Sequence, residues 1–330
     1  MKIVFMGTPE FAAASLEALI RAGHEITAVV TQPDKPKGRG RQMQFPPVKE
    51  CAVRHGIRVL QPVKIKAPEA VEELRQIEAD IFVVAAFGQI LSSEILHMPR
   101  LGCVNIHASL LPKYRGAAPI QWAILNGETQ TGVTIMQMDE GLDTGDILTK
   151  VTVPITDQDT GDSLHDKLME AGAKLIVDTL PLIERGRVTP ERQDDAQSSY
   201  ASRLSKELGR IDWTKSAGEL ARLVRGLNSW PGSYTTFRGK SLKIWEAEAE
   251  GVQAGDAAEG TSSAGGRKAA AAGQNEVAAG TVVEVTKEAI RIQTGEGLLV
   301  VKSVQPEGKK RMQVKDYLLG YQIKTGERLL

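Results

Sequence analysis

The sequence predicts an α/β fold, in which a mostly parallel sheet carries helices on both faces, followed by a smaller β-barrel. The early strands are apolar along both faces, and segments of helical periodicity alternate with them. The C-terminal part instead has short alternating strands separated by glycine turns, which is typical of a small barrel. Because 330 residues exceed one ordinary compact core, we expect two domains.

Strands and helices alternate through the N-terminal half of the chain. Residues 2–6 form an apolar strand, and a helix follows the Gly-Thr-Pro turn; we expect Thr8 to cap this helix and Pro9 to be its first residue. Pro181 is expected to kink the last helix of this half. Further strands are expected at 26–31, 57–60, 81–86, 103–106, 131–138 and 147–154, with helices near 69–77 and 163–184.

The change from alternating strands and helices to short strands with glycine turns indicates where the domain boundary lies. Residues 1–186 are expected to form the first domain and 205–330 the barrel domain, joined by a polar linker at 187–204. Residues 251–279 are almost wholly Ala, Gly, Ser and polar residues, which cannot bury enough apolar surface to offset the entropy of ordering. We therefore expect a flexible insertion there. In the barrel domain a helix through 220–227 precedes strands at 233–249, 280–286, 289–293 and 297–304.

Charge and composition indicate an ordinary cytoplasmic protein. Its net charge is zero, but residues 201–330 hold 20 Lys and Arg against 15 Asp and Glu, a weak sign of a polyanionic partner. The N-terminal apolar run is too short for a signal peptide or membrane span. Cys51 and Cys103 lack the paired spacing of a disulfide framework or metal site.

A polar motif follows the strand expected at 103–106. Strand alternation puts Asn105 and His107 on one face, so that an amide donor lies beside a group that titrates near neutral pH. Asp143 adds a carboxylate between two glycines in the segment 141–146. Binding sites of parallel sheets lie beyond the carboxyl ends of the strands, where His107 is expected.

Simpler interpretations exist for each of these residues. His107 could be a hydrogen-bonded histidine that closes a strand, and Asn105 could cap the following turn. Asp143 lies in a Leu-Asp-Thr-Gly sequence like that of aspartic proteases, but a second such sequence, needed for the catalytic dyad, is missing from the chain.

The combination of motifs resembles the formyltransferases that use 10-formyltetrahydrofolate. Asn-x-His at 105–107, Ser-Leu-Leu-Pro at 109–112 and Asp-Thr-Gly-Asp at 143–146 carry the resemblance. It implies a Rossmann-like sheet and an OB-like barrel, with Asn105, His107 and Asp143 catalytic. It further implies folate contacts by Ser109, Leu110, Leu111, Pro112, Phe87 and Gly88.

No dinucleotide or metal is expected in this site. The turn after the first strand, residues 7–10, lacks the second and third glycines of a G-x-G-x-x-G fingerprint. His, Cys, Asp and Glu residues also show no spacing typical of metal ligands. The resemblance implies 10-formyltetrahydrofolate, the formyl donor, as the cosubstrate.

Further similarities point to the members of this family that formylate initiator methionyl-tRNA, giving N-formylmethionyl-tRNA for translation initiation. They include Gly-Thr-Pro-Glu-Phe-Ala near the start, Ile-Asp-Trp at 211–213 and Asn-Ser-Trp-Pro at 228–231. The long loop at 34–49 holds five basic residues against one acid. We expect tRNA contacts from Lys35, Lys37, Arg39, Arg41, Lys49, Lys309 and Lys310, and a monomeric enzyme.

Two alternative functions stay open from sequence. A sister formyltransferase could act on a small amine, such as an amino sugar or glycinamide ribonucleotide, and would not need a basic barrel. A non-catalytic RNA-binding protein on the same scaffold would not need Asn105, His107 and Asp143 together.

Overall fold

The computed structural model describes residues 1–37, 42–251 and 277–330, which form two compact units. The first unit comprises Met1–Ile120, Gln130–Pro154 and Ser163–Ser202. The second comprises Gln121–Thr129, Ile155–Asp162 and Arg203–Leu330. Two short segments of the N-terminal half thus belong to the second unit. Of the insertion expected at 251–279, residues 252–276 lie outside the described residues, as do Arg39 and Arg41.

A seven-stranded sheet forms the centre of the first unit, in the order β10-β9-β7-β6-β1-β2-β5. Strands β7, β6, β1, β2 and β5 run parallel, and β9 is antiparallel to both β7 and β10. The predicted mostly parallel sheet is confirmed. Its strands are β1 (Lys2–Gly7), β2 (Glu25–Val30), β5 (Val59–Leu60), β6 (Ile81–Ala85), β7 (Cys103–His107), β9 (Gln130–Gln137) and β10 (Ile147–Pro154).

Short strand pairs lie outside this sheet. β3 (Lys35–Lys37) pairs antiparallel with β4 (Gln42–Gln44), and β8 (Arg115–Gly116) pairs parallel with β11 (Tyr200–Ala201). β11 belongs to the segment predicted to be a linker, so this part of the chain pairs with the first unit.

Helices cover both faces of the sheet, as the apolar strands predict. One face packs Val4, Met6 and Val84 against apolar side chains of the α3 and α4 region. On the other face α6 approaches so closely that a Cβ at Gly172 would lie 3.2 Å from the Ile106 side chain. The helices are α1 (Glu10–Arg21), α2 (Pro47–Arg54), α3 (Pro68–Arg75), α4 (Ser93–Leu96), α5 (Pro119–Leu125) and α6 (Gly161–Glu184).

One local prediction was wrong. Thr8 does not cap α1, because its hydroxyl donates to the Phe87 carbonyl at 3.1 Å and Pro9 occupies the cap position. A longer-range partner for the hydroxyl prevailed over the local one. The helix predicted at 163–184 is α6, which continues through Pro181 to Glu184. Among the helices of the described ranges, none has the length and apolar character needed to cross a bilayer.

The second unit is built on an antiparallel sheet of the order β12-β13-β16-β15-β14, with β17 paired to β16. Its buried core includes Trp213, Leu220, Ile244 and Val301. Helix α7 begins with a capping box formed by Ser216 and Glu219. The remaining elements are α7 (Ala217–Gly226), β12 (Ser233–Phe237), β13 (Lys240–Glu250), β14 (Val282–Val285), β15 (Ile290–Gln293), β16 (Leu298–Pro306), β17 (Met312–Gln313) and α8 (Val314–Gly320).

The C-terminal segment, residues 326–330, joins the two edge strands of this sheet. Thr236 of β12 exchanges both backbone hydrogen bonds with Leu330, at 2.8 and 2.9 Å. On the other side, Val282 of β14 donates to the Glu327 carbonyl and accepts from Gly326, both at 2.8 Å. The segment thereby satisfies edge groups that would otherwise be unpaired, which closes the barrel.

Two adjacent leucines test this closure. Leu329 is 1% exposed in the barrel core, whereas Leu330 is 64% exposed. Leu329→Ala is expected to lower the free energy of unfolding by about 2–5 kcal/mol because it leaves a cavity. The control, Leu330→Ala, should change it by less than about 0.5 kcal/mol. Urea unfolding followed by tryptophan fluorescence measures this, since all four tryptophans belong to the second unit. Equal effects of the two substitutions would contradict the closure.

Candidate active site at the end of strand β7

His107 is the last residue of β7 and is 6% exposed. Its Nε2 lies 2.9 Å from the backbone carbonyl oxygen of Tyr114. Because a carbonyl only accepts hydrogen bonds, Nε2 carries the proton of the neutral ring. The other ring nitrogen, Nδ1, faces the Asp143 carboxylate, with Oδ2 at 3.7 Å. That separation is an ion-pair distance and is too long for a hydrogen bond. The hydrogen bond that orients the His107 ring therefore comes from Tyr114 and not from Asp143.

Asp143 lies in the loop between β9 and β10 and has a left-handed backbone, with φ at +55°. Its Oδ2 accepts a hydrogen bond from the Gly116 backbone N–H at 2.8 Å. The Gln193 side-chain amide donates to the Asp143 carbonyl at 2.8 Å and to the Gly145 carbonyl at 2.7 Å. Both the carboxylate and the backbone of this residue are therefore fixed.

Asn105 shares the face of β7 with His107, two residues or about 7 Å before it. Its side chain is half-buried. Within the described part of the chain no hydrogen bond uses this amide. The amide is therefore available to donate a hydrogen bond to a ligand at this end of the sheet.

The turn at 109–112 is held by its own backbone and by one threonine of β9. The Ser109 hydroxyl donates to the Lys113 carbonyl at 2.7 Å. The Thr134 hydroxyl donates to the Ser109 carbonyl at 2.7 Å and accepts from the Leu111 N–H at 3.1 Å. Ser109 and Leu111 are buried, so their side chains stabilise the turn, and the half-buried Leu110 and Pro112 form its outer surface.

Phe87 and Gly88, also predicted to contact folate, differ in exposure. The Phe87 ring is 2% exposed and packs in the core, while its carbonyl accepts hydrogen bonds from Thr8 and from Gln32, each at 3.1 Å. Gly88 is exposed and left-handed, with φ at +82°. Of the two, Gly88 presents a surface to a ligand.

The predicted basic loop contains one lysine with a structural partner. Lys49 Nζ lies 2.6 Å from the Asp34 carboxylate and 3.9 Å from the centre of the Phe45 ring. The hydrogen bond from Lys49 lowers the pKa of Asp34. Lys49 is therefore committed to the base of the loop, whereas Lys35 of β3 is exposed. In the second unit, Lys309 and Lys310 are exposed between β16 and β17.

A second polar cluster joins α1 and α2 in the first unit. Ligand-type atoms of Glu17, Cys51 and His55 lie within 4.8 Å of one another, a grouping that sequence spacing did not reveal because Glu17 is on another helix. The Glu17 carboxylate accepts from Cys51 at 3.3 Å and contacts His55 at 3.1 Å and Arg21 at 3.1 Å. Burial and Glu17 raise the pKa of Cys51 to about 11, so it is a thiol at neutral pH. These contacts account for the cluster as packing between helices.

Comparison with known proteins shows which family the chain resembles over its length. The family model described as "Formyl transferase" matches residues 1–180, and "Formyl transferase, C-terminal domain" matches residues 203–322. A methionyl-tRNA formyltransferase from Lachnospira eligens is 51% identical over 329 residues, which cover 100% of this chain and 99% of that protein. One from Agathobacter rectalis is 50% identical over 326 residues, covering 99% and 98%.

The chain belongs to the methionyl-tRNA formyltransferase family. The resemblance seen in the sequence motifs is thereby confirmed. Among solved structures, an N-formyltransferase from Helicobacter canadensis in complex with folinic acid and dTDP-3-aminofucose has a TM-score of 0.66 at 20% identity. That similarity covers 93% of this chain and 99% of the other, and it concerns the fold alone.

The sequence motifs predict Asn105, His107 and Asp143 as site residues but do not indicate the groups that hold His107 and Asp143 in place. Tyr114, Gly116 and Gln193 contact His107 or Asp143. Two of these contacts use backbone atoms, which the residue types do not reveal. The third comes from a segment that looked like a linker.

Thr134 allows a test of how the turn at 109–112 is held. Thr134→Val keeps the side-chain shape but leaves the Ser109 carbonyl and the Leu111 N–H without their partner. We expect a loss of about 1–3 kcal/mol in the free energy of unfolding. We also expect weaker binding of a folate, measured by titration calorimetry. Thr152→Val, on the exposed face of β10, is the control. Unchanged stability and folate affinity in Thr134→Val would show that the turn does not need this hydroxyl.

Proposed function

We propose that this chain transfers the formyl group of 10-formyltetrahydrofolate to the amino group of initiator methionyl-tRNA, giving N-formylmethionyl-tRNA. The observation that carries the proposal is the open Asn105 amide beside a buried His107 whose Nδ1 faces Asp143. The full-length similarity to proteins named methionyl-tRNA formyltransferase favours methionyl-tRNA over a small amine as the acceptor.

The proposed reaction begins with attack of the amine on the formyl carbonyl carbon, which gives a tetrahedral species with negative charge on oxygen. Asn105 donates a hydrogen bond from its side-chain amide to this oxygen. Because the amide has no partner among the described residues, it needs no rearrangement to do so. The species then collapses by breaking the bond to the folate nitrogen.

His107 handles the proton in this proposal, and it does so through Nδ1. Its Nε2 proton is engaged by the Tyr114 carbonyl, so Nδ1 is the nitrogen that can accept a proton from the attacking amine. The resulting imidazolium has its new N–H directed at Asp143, whose negative charge stabilises it. The proton then passes to the leaving nitrogen of the folate.

The turn at 109–112 is the proposed contact for the folate donor. A folate ring system needs a flat, partly apolar surface with a few polar groups. Leu110, Pro112 and the exposed Gly88 offer such a surface, while Ser109, Leu111 and Phe87 support it from the buried side. The folinic acid complex of the structural neighbour from Helicobacter canadensis supports a folate as ligand of this fold.

The acceptor tRNA is proposed to contact the loop at 34–49 with Lys35, Lys37, Arg39 and Arg41. Lys309 and Lys310 of the barrel are proposed to contact phosphates further along the tRNA. Lys49 contributes indirectly, through its ion pair with Asp34 at the base of the loop. We further propose a cytoplasmic monomer whose transfer step needs neither a metal nor NAD, since the chain lacks a dinucleotide fingerprint after its first strand.

Transfer of labelled formyl groups tests the acceptor. Purified protein is given labelled 10-formyltetrahydrofolate with methionyl-tRNA, or with an amino-sugar nucleotide at the same concentration. Formylation of the tRNA is expected, with little or no labelling of the sugar. Preferential labelling of the sugar would replace the proposed acceptor, and no labelling of either would remove the activity.

Substitutions at Asn105 and His107 test the site. Asn105→Ala is expected to lower kcat by about a hundred- to a thousandfold, the usual cost of losing an oxyanion donor. Asn105→Asp, which keeps the shape but has no amide N–H, should be at least as slow. His107→Ala is also expected to slow transfer severely. Steady-state kinetics, with circular dichroism to establish folding, provide the measurement. A folded Asn105→Asp variant with near-normal kcat would contradict the proposal that the Asn105 amide donates to the oxyanion.

Arg39 tests the proposed tRNA loop. A planar guanidinium between two glycines can approach phosphates closely, so Arg39→Ala should raise KM for methionyl-tRNA about tenfold. Arg58→Ala, an exposed arginine paired with Glu73, is the control. The assay compares initiator tRNAs with mismatched and with paired first acceptor base pairs, because an unpaired end is cheaper to open. If Arg39→Ala retains wild-type KM and discrimination on both, the loop does not bind the tRNA end.

A further inference from the structure

The segment 193–201, within the predicted linker, binds the backbone that holds the two ionisable site residues. The Ser199 hydroxyl accepts from the Tyr114 N–H at 2.9 Å, and the Ser199 carbonyl accepts from the Arg115 N–H at 2.9 Å. The Ala201 carbonyl accepts from the Ala117 N–H at 2.9 Å. These bonds form the β8–β11 pair and fix the carbonyl that engages His107.

Gln193 links the same segment to the loop that carries Asp143. Its side chain is only 7% exposed, and both the nitrogen and the oxygen of its amide form hydrogen bonds. The two N–H groups donate to the carbonyls of Asp143 and Gly145. The oxygen accepts from Arg115 Nε at 3.0 Å and from Arg115 Nη2 at 2.9 Å. Buried amides in such fully satisfied networks rigidify what they contact.

Arg115 closes this network on the Asp143 carboxylate. Its side chain is 12% exposed and donates hydrogen bonds from two nitrogens to the Gln193 oxygen. One of these nitrogens also contacts Asp195 at 2.8 Å. The next residue, Gly116, donates its N–H to Asp143 Oδ2. Gln193 thus holds the backbone of Asp143, and Gly116 holds its carboxylate. Arg115 connects these two contacts, because it binds Gln193 and directly precedes Gly116.

We infer that Gln193 and Arg115 are positioning residues for formyl transfer, which fix the Asp143 carboxylate against Nδ1 of His107; the inference rests on the proposed function. Gln193 is too buried to touch a substrate, so its effect must pass through Asp143. Without its two N–H donors, the carbonyls of Asp143 and Gly145 lose their partner. The left-handed backbone at Asp143 then loses two of the hydrogen bonds that hold its loop in place.

Gln193→Glu tests this role, because it keeps the shape and the acceptor for Arg115 but removes both donors. We expect kcat to fall about tenfold to a hundredfold, as for small misplacements of a catalytic group, with KM for both substrates changed less than about twofold. Gln197→Glu is the matched control. It makes the same charge change in an exposed amide of the same segment, whose side-chain bond stays local, to Asp194, and it should leave kcat unchanged.

A double-mutant cycle with Asp143→Ala separates positioning from a general structural effect. If Gln193 acts through Asp143, adding Gln193→Glu to Asp143→Ala should cost less than about twofold further in kcat. A full additional loss, an unchanged kcat in the single variant, or a rise in KM instead would each overturn the inference. Should Gln193→Glu not fold, Arg115→Lys decides in the same cycle, since it keeps the charge but not the two-nitrogen grip on Gln193.

A readout independent of activity keeps this inference distinct from the proposed function. The imidazole ¹⁵N NMR signals of His107 in the free protein should change in Gln193→Glu and stay unchanged in Gln197→Glu. Unchanged His107 signals in Gln193→Glu would contradict the positioning role whatever the enzyme formylates. Failure of the wild-type protein to formylate methionyl-tRNA would remove the proposed function and leave this measurement intact.

Discussion

Three residues of backbone, 114–116, fix the geometry on which the proposed chemistry depends. The Tyr114 carbonyl sets the orientation of the His107 ring, and the Gly116 N–H holds the Asp143 carboxylate. Tyr114 pays for this with a left-handed backbone, φ at +62°, of a kind that costs on the order of 1–3 kcal/mol. At Gly116 a Cβ would lie 2.7 Å from the Ala201 carbonyl oxygen, so only glycine fits between the paired strands.

Among the described residues, several polar groups around this backbone have protein partners, whereas the Asn105 amide is open. The carbonyls of the Asp143 loop, the Ser109 hydroxyl and the Gln193 amide all have protein partners. The Asn105 amide has none among the described residues. A site whose supports are bonded to one another is organised before a ligand arrives, and such preorganisation is what electrostatic catalysis requires.

Counting charges overstates the basic surface of the loop at 34–49. Of its five basic residues, Lys49 is neutralised by Asp34, whose carboxylate also accepts from the Gln61 amide at 2.7 Å. This ion pair joins the start of α2 to the chain before β3. Lys49 therefore stabilises the loop from which the other basic residues extend, and an alanine there would disturb structure as well as charge.

The sequence by itself determined the mostly parallel sheet with its helices and the family, and it singled out Asn105, His107 and Asp143 as candidates for the site. Apolar periodicity and short motifs are local, so they can be read along the chain. Only the tertiary structure decided that Tyr114 rather than Asp143 orients His107, that Gln193 of a supposed linker holds Asp143, and that residues 326–330 close the barrel. His107 and Tyr114 are only seven residues apart, but the other contacts join residues far apart in sequence, and most of them use backbone N–H and carbonyl groups. Since every residue except proline carries both groups, their partners are chosen by the fold and leave no signature in the residue types.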